Sequence, residues 1–268
     1  MKNPILFLGA GPGDPELITL KGRRLLDEAD VIVYAGSLVN PVLLNGVRAQ
    51  VHDSAGMDLD AILDVMVSAA RAGKRVVRLH TGDPAIYGAI REQMQRLDRE
   101  NLEYEVVPGV SSALASAAAL KVELTVPEVT QTVIFTRQAG RTPVPEKESL
   151  QNLAALQASM CIFLSVSMIE KVVAELTAGG YPADTPVAVV EKASWPDQHI
   201  VRATLADIAE KIQSSEIRKT AMILVGRALA DDATAVSKLY DAGFSHEFRE
   251  KKNEKDIVCN PARQRAGG

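Results

Sequence analysis

Cysteine and histidine are scarce in this chain. Two cysteines, Cys161 inside an apolar run and Cys259 in a polar tail, and four dispersed histidines make neither a disulfide framework nor a metal-ligand cluster. Positive charge is not in excess: 30 Lys and Arg stand against 34 Asp and Glu, for a net charge of -4. That balance, with a pI near 5.7, disfavours a protein whose affinity rests on neutralising nucleic-acid phosphates. No apolar run approaches the ~20 residues of a membrane span, and the one near the N-terminus is too short for a signal peptide before the glycines begin. These absences predict a cytoplasmic protein with no nucleic-acid or membrane partner and no metal site of its own.

A dinucleotide fingerprint is missing too. The run Gly9-Ala-Gly11-Pro-Gly13-Asp14-Pro15 invites that reading, but Asp14 stands where the third glycine belongs, and Pro12 and Pro15 stiffen the turn. A nicotinamide oxidoreductase is therefore disfavoured.

What is present is a chain of 268 residues, 47% apolar, long enough for two domains. The organising stretch is 76–88, VVRLHTGDPAIYG: an apolar strand, a turn on Gly82 and Asp83, and a helix opened by Pro84. Around it, apolar runs alternate with helical periodicity. Strands are expected at 4–8, 31–34, 50–53 and 104–107, with helices at 20–28, capped by Thr19, at 59–72, and from Ser111 or Ser112 to about Ala119. Ile86, Ala89, Ile90, Met94 and Leu97 would mark the buried side of the Pro84 helix. Three glycine-bearing loops, at 9–15, 82–84 and 108–112, follow strands. In a parallel α/β sheet, ligands gather beyond those strand ends.

The pattern loosens around Pro127. We expect an N-terminal α/β domain at 1–120, a C-terminal α/β domain at 121–230 and a polar tail at 231–268, docked partly by Leu239, Tyr240, Phe244 and Phe248. In the second domain, strands are expected at 132–136, 160–164, 187–190, 200–204 and 221–225, and helices at 148–157, after 167 and at 205–213. Some connections are too short for a helical crossover, so the N-terminal sheet should be largely parallel and the C-terminal sheet mixed.

Together, 9–19, the Gly82-Asp83-Pro84 turn, Pro108-Gly-Val-Ser-Ser112 and the Ala193-Ser-Trp-Pro turn resemble the tetrapyrrole methylase family over about 5–229. The segments 34–39, 79–88, 130–132, 141–145 and 239–248 resemble its members that act in cobalamin biosynthesis. The resemblance implies two α/β domains with the active site in the cleft between them, a homodimer, and S-adenosylmethionine as methyl donor. The implied substrate is a tetrapyrrole, precorrin-4 or cobalt-precorrin-4, so that cobalt would arrive with the macrocycle. The implied alternatives are another tetrapyrrole of the same pathway or an RNA or protein substrate. Relatives that methylate uroporphyrinogen carry a Tyr-Asp pair where this chain has Tyr34-Ala-Gly, which argues against that substrate.

Carried over by position, the cofactor would meet Pro12, Gly82, Asp83, Ile86, Ser111 and Ser112 from the first domain, and Phe163, Ala193 and Met222 from the second. Asp83, Ser111 and Ser112 are equally readable as helix caps, and Phe163 and Met222 as core. No catalytic residue is assigned, because a sulfonium methyl passing to a ring carbon needs no protein nucleophile. His80 reads as a packed strand-end residue or, from its place before the turn, as a base. A substrate rich in carboxylates calls for cations, for which Arg137, Arg141 and Lys192 are candidates. Each is also readable as an ordinary surface charge.

Overall fold

A computed structural model of the chain describes residues 3–230 together with 237, 244, 245 and 247. The first half begins with β1 (Ile5–Gly9), buried along its length, and α1 (Leu20–Asp27). Thr19 opens α1 as expected, its hydroxyl accepting from the Gly22 N–H. There follow β2 (Val31–Tyr34), β3 (Gln50–Asp53), α2 (Leu59–Arg71), β4 (Val76–His80), α3 (Ile90–Arg99), β5 (Tyr104–Val107) and α4 (Ser112–Leu120). The strands form an all-parallel sheet in the order β3-β2-β4-β1-β5. Alternate residues feed opposite faces. Ile5, Phe7, Val31 and Val33 join Met66 of α2 and Leu97 of α3, while Leu6, Leu8, Ile32 and Leu79 join Leu26 of α1. This order makes β4, β1 and β5 neighbours, so the three glycine-bearing loops emerge side by side.

The second half contains β6 (Val133–Arg137), α5 (Leu150–Ala154), β7 (Ser159–Phe163), α6 (Ile169–Ala178), β8 (Pro186–Glu191), β9 (His199–Thr204), α7 (Ile208–Ser214) and β10 (Ala221–Val225). Its sheet, β6-β7-β10-β8-β9, is mixed: β6 and β7 run parallel and every other pair is antiparallel. One face, with Met160, Ile162, Val189 and Ile223, packs under residues of α5, α6 and α7. The other presents Cys161, Phe163, Ala188, Val190, Met222 and Leu224 to Ala113, Ala117 and Leu120 of α4. The alanine-rich α4 is thus the seam between the halves, and its short side chains let the second sheet come close.

Three expected helix starts are corrected. No helix opens at Pro84: residues 84–87 form a single turn, Tyr87 and Ala89 take positive φ values of 55° and 48°, and α3 begins only at Ile90. The cause is tertiary. One carboxylate oxygen of Asp83 accepts from the Ala85 N–H and the other from the Gly109 N–H, pinning the turn to the next loop. Ile86 accordingly packs against the α4 seam rather than against the first sheet's core. The helix expected at 148–157 is reset by Ser149, whose hydroxyl accepts from the Asn152 N–H, and spans only Leu150–Ala154. The one expected at 205–213 starts at Ile208, because the Asp207 carboxylate accepts from the N–H and hydroxyl of Thr204 and holds a turn there.

The tail residues Leu239, Tyr240 and Phe248, like Cys259, lie outside the described residues, whereas Phe244 is described and partly exposed. Among the described residues, no helix is long and apolar enough to cross a membrane.

Candidate functional site

The three strand-end loops of the first half touch through bare backbone. A Cβ on Gly109 would lie 2.2 Å from the Gly82 carbonyl oxygen, and one on Gly9 would lie 2.6 Å from the Gly109 Cα. Gly11 and Gly82 exchange backbone hydrogen bonds, at 2.8 Å from the Gly82 N–H and 3.3 Å from the Gly11 N–H. Glycine is required here by close approach, which only the absence of a side chain permits.

The second half reaches across to the same loops. In the turn between β8 and β9, the Trp195 indole N–H donates to the Pro12 carbonyl at 3.0 Å, and the Ser194 hydroxyl accepts from the Asp14 N–H at 2.9 Å. The indole occupies the space a side chain at Gly13 would need, since a Cβ there would come within 2.0 Å of the ring. From below, the Asn40 amide donates to the Gly13 carbonyl at 2.8 Å. The first loop is therefore held from both halves.

Between these elements opens a cavity of about 370 Å³. It is lined by all nine residues expected to meet the cofactor: Pro12, Gly82, Asp83, Ile86, Ser111, Ser112, Phe163, Ala193 and Met222. Ser111 caps α4, its hydroxyl accepting from the Ala113 N–H, whereas Asp83 caps no helix and instead closes the 84–87 turn through the Ala85 N–H. Phe163 and Met222 both line the cavity and pack in the α4 seam.

Of the three candidate cations, Lys192 lines the cavity, and Arg137 and Arg141 do not. The Lys192 ammonium is paired with Asp197, which raises the lysine's pKa and lowers the carboxyl's. The Arg137 guanidinium donates to the carbonyls of Thr142 at 3.1 Å and Pro143 at 2.6 Å, closing its own loop. Arg141 is exposed on that loop. His80 points away from the cavity into the first sheet's core, beside Phe7. Burial, aided by the charge of Arg78, pushes its pKa down to about 3, so it is neutral and unsuited to serve as a base at this site. Arg78 itself is buried, donating to the Val33 carbonyl at 3.2 Å and to Gln93 at 3.3 Å.

Sequence reasoning missed several lining residues, among them Leu38, Tyr87, Ser116, Leu164, Lys219 and Thr220. Tyr87, Leu164, Lys192 and Thr220 all have positive φ, a strained state for side chains of their size. No local motif announces it, because it is imposed by turns at the ends of strands. Ser116 belongs to the alanine-rich run, and only the structure reveals it at the cavity wall with a buried, unpartnered hydroxyl. Among the described residues no cluster of His, Cys, Asp or Glu could hold a metal. The site is apolar walls, backbone polar groups and rim cations, an arrangement suited to binding and orienting a small molecule.

Known proteins resemble this chain over most of its length. The family model described as Tetrapyrrole (Corrin/Porphyrin) Methylases matches residues 4–209. A cobalt-precorrin-4 C(11)-methyltransferase of Methanocaldococcus jannaschii is 60% identical over 247 residues, covering 91% of this chain and 95% of the relative. The X-ray structure of a cobalt precorrin-4 methyltransferase of cobalamin biosynthesis superposes with a TM-score of 0.83 at 51% identity, covering 85% of this chain and 96% of that one. A uroporphyrin-III C-methyltransferase from Thermus thermophilus, solved in complex with S-adenosylhomocysteine, superposes at 0.74 with 32% identity, covering 85% and 99%.

Proposed function

From its membership of the tetrapyrrole (corrin/porphyrin) methylases, the family to which this chain belongs, we propose that it transfers a methyl group from S-adenosylmethionine to ring carbon 11 of precorrin-4, with or without cobalt in the macrocycle. The observation that carries this reading is the convergence of distant parts of the chain, the turns of Pro12, Gly82, Ser111 and Ala193 and the β10 residue Met222, on one cavity.

The residues present suit the cofactor. The Gly82 turn and the Ser111–Ser112 helix start bring backbone polar groups to the cavity wall, and a Cβ built on Gly82 would meet only ordinary contacts, the nearest 3.7 Å away at the Ser112 nitrogen. Bound there, S-adenosylmethionine supplies an electrophilic methyl on a sulfonium. The glycine turns offer backbone N–H and carbonyl groups to a nucleoside and an amino acid. Phe163, Ile86 and Met222 exclude water, and the Trp195 contact keeps the first loop closed over the cavity. The nucleophile is a carbon of the substrate, so the protein's work is positioning: holding two centres in line and out of water can contribute roughly 7 to 11 kcal/mol. Lys192, Lys219 and the Arg137–Arg141 loop offer cations for substrate carboxylates. A cytoplasmic homodimer belongs to the same reading. Edge strand β5 exposes Val106, and Leu20, beside the Lys21–Glu105 ion pair, is almost fully exposed, which gives a second copy apolar surface to cover.

Calorimetry with S-adenosylhomocysteine tests the cofactor site. Single-turnover assays with precorrin-4 and its cobalt form side by side, with mass spectrometry and NMR locating the new methyl, test the reaction. Absence of nucleoside binding, or a methyl found at another carbon, would overturn the proposal. Arg141→Ala should weaken substrate binding far more than nucleoside binding, and equal losses would remove Arg141 from the substrate site.

A further inference from the structure

Three aromatic rings meet beside the cavity, two of which, Tyr87 and Phe163, line it. Tyr87 and Phe163 have ring centroids 5.1 Å apart at 55°, and Phe163 and Phe135 are 5.7 Å apart at 61°. Phe163 is buried beneath the other two, while Tyr87 and Phe135 remain 45% and 37% exposed. The backbone is distorted to put Tyr87 there. Residue 87 sits at φ 55° and Ala89 at φ 48°, and Gly88 between them is packed so that a Cβ would fall 2.2 Å from the Pro84 carbonyl oxygen. A helix continued from Pro84 would have relieved all three positions; the break directs the tyrosine ring toward the second half. Leu164, at φ 54° and 67% exposed, follows Phe163 in the cavity lining, and Leu38 lines the cavity from the first half. Neither core packing nor the cofactor pocket requires such exposed apolar surface beside the cavity.

Charge frames the surface. Arg137 is the register partner of Phe163 on the adjoining strand and acts electrostatically on the Tyr87 hydroxyl, and Lys192 stands on the cavity wall. Apolar in its middle, with rings inclined at 55° and 61° to Phe163 and cations beside it, the ledge offers exposed ring faces and edges to a macrocycle with carboxylates on its periphery. We propose that Tyr87, supported by Phe163 and Phe135, is a specificity-determining residue that carries the face of the tetrapyrrole and sets the ring carbon against the methyl donor. This rests on the tetrapyrrole reading of the cavity given above.

The test compares Tyr87→Ala, Tyr87→Phe and Phe135→Ala with the unaltered full-length enzyme, reading KM for the tetrapyrrole and, by calorimetry, affinity for S-adenosylhomocysteine. Tyr87→Ala should raise the tetrapyrrole KM by about tenfold or more and leave nucleoside affinity within about threefold, while Tyr87→Phe, which keeps the ring, restores KM. Phe135→Ala removes an exposed ring from an edge strand and should raise KM in the same direction, so it carries the test if Tyr87→Ala does not fold. An unchanged tetrapyrrole KM in the alanine variants, or a loss of nucleoside affinity in step with KM, would overturn the ledge. Failure of the unaltered enzyme to bind the nucleoside or to methylate any tetrapyrrole would overturn the underlying reading instead.

Discussion

Gly9 and Gly109 show how much can depend on a missing methyl. Neither has the positive φ that usually explains a glycine, yet a Cβ on either would strike the backbone of a neighbouring loop. Gly109→Ala should therefore cost about 1 to 3 kcal/mol of stability and move the Gly82 turn, with a lower Tm and a disproportionate loss of S-adenosylhomocysteine affinity. At the same scale, His80 makes stability depend on pH. Its native pKa of about 3 lies below the unfolded value of 6.5, so the unfolded chain binds the extra proton. The contribution is whole above pH 6.5 and is lost as pH falls from there toward 3, at up to about 1.4 kcal/mol per pH unit. Denaturant titrations should show this slope reduced in His80→Leu, and imidazole NMR shifts in the native protein should stay flat between pH 8 and 5. Gly82 was legible from the sequence as a turn residue. The crowding at Gly9 and Gly109 was not, because the atoms that crowd them lie about 30 to 100 positions away in the chain.

Among the elements, strands were easier to read than helix starts, for a physical reason. A buried strand appears as a short apolar run between turn residues, and β2 and β10 lie where such runs fall. A helix start depends on which backbone N–H a polar side chain captures. Asp83, Ser149 and Asp207 each hold turns that the apolar pattern alone assigned to helix. The seam helix α4 makes the converse point: its run of alanines looked unremarkable, and its value lies in being thin. Ala117→Leu should overpack the interface with the second sheet and cost about 1 to 3 kcal/mol, measurable as a lower denaturation midpoint, whereas Leu114→Ala on its exposed side should change little.

For the whole molecule, the contact between the two halves at the cavity runs through the chain's one tryptophan. Because Trp195 packs against the loop that carries Pro12 and Gly13, its emission should change on addition of S-adenosylhomocysteine, with a midpoint matching calorimetry. Trp195→Phe, which loses the indole N–H donor, should weaken nucleoside binding with little change in fold content by circular dichroism. The order of the loops around the cavity was readable once strands and helices were seen to alternate, but the clasp across 183 residues was not. The fit of that indole into the space left by Gly13 also restricts how such enzymes can exchange parts. A chimaera joining the first half of one relative to the second half of another would inherit a working crevice only where a bare glycine meets the bulky ring, so successful recombinants should keep the two positions as a matched pair.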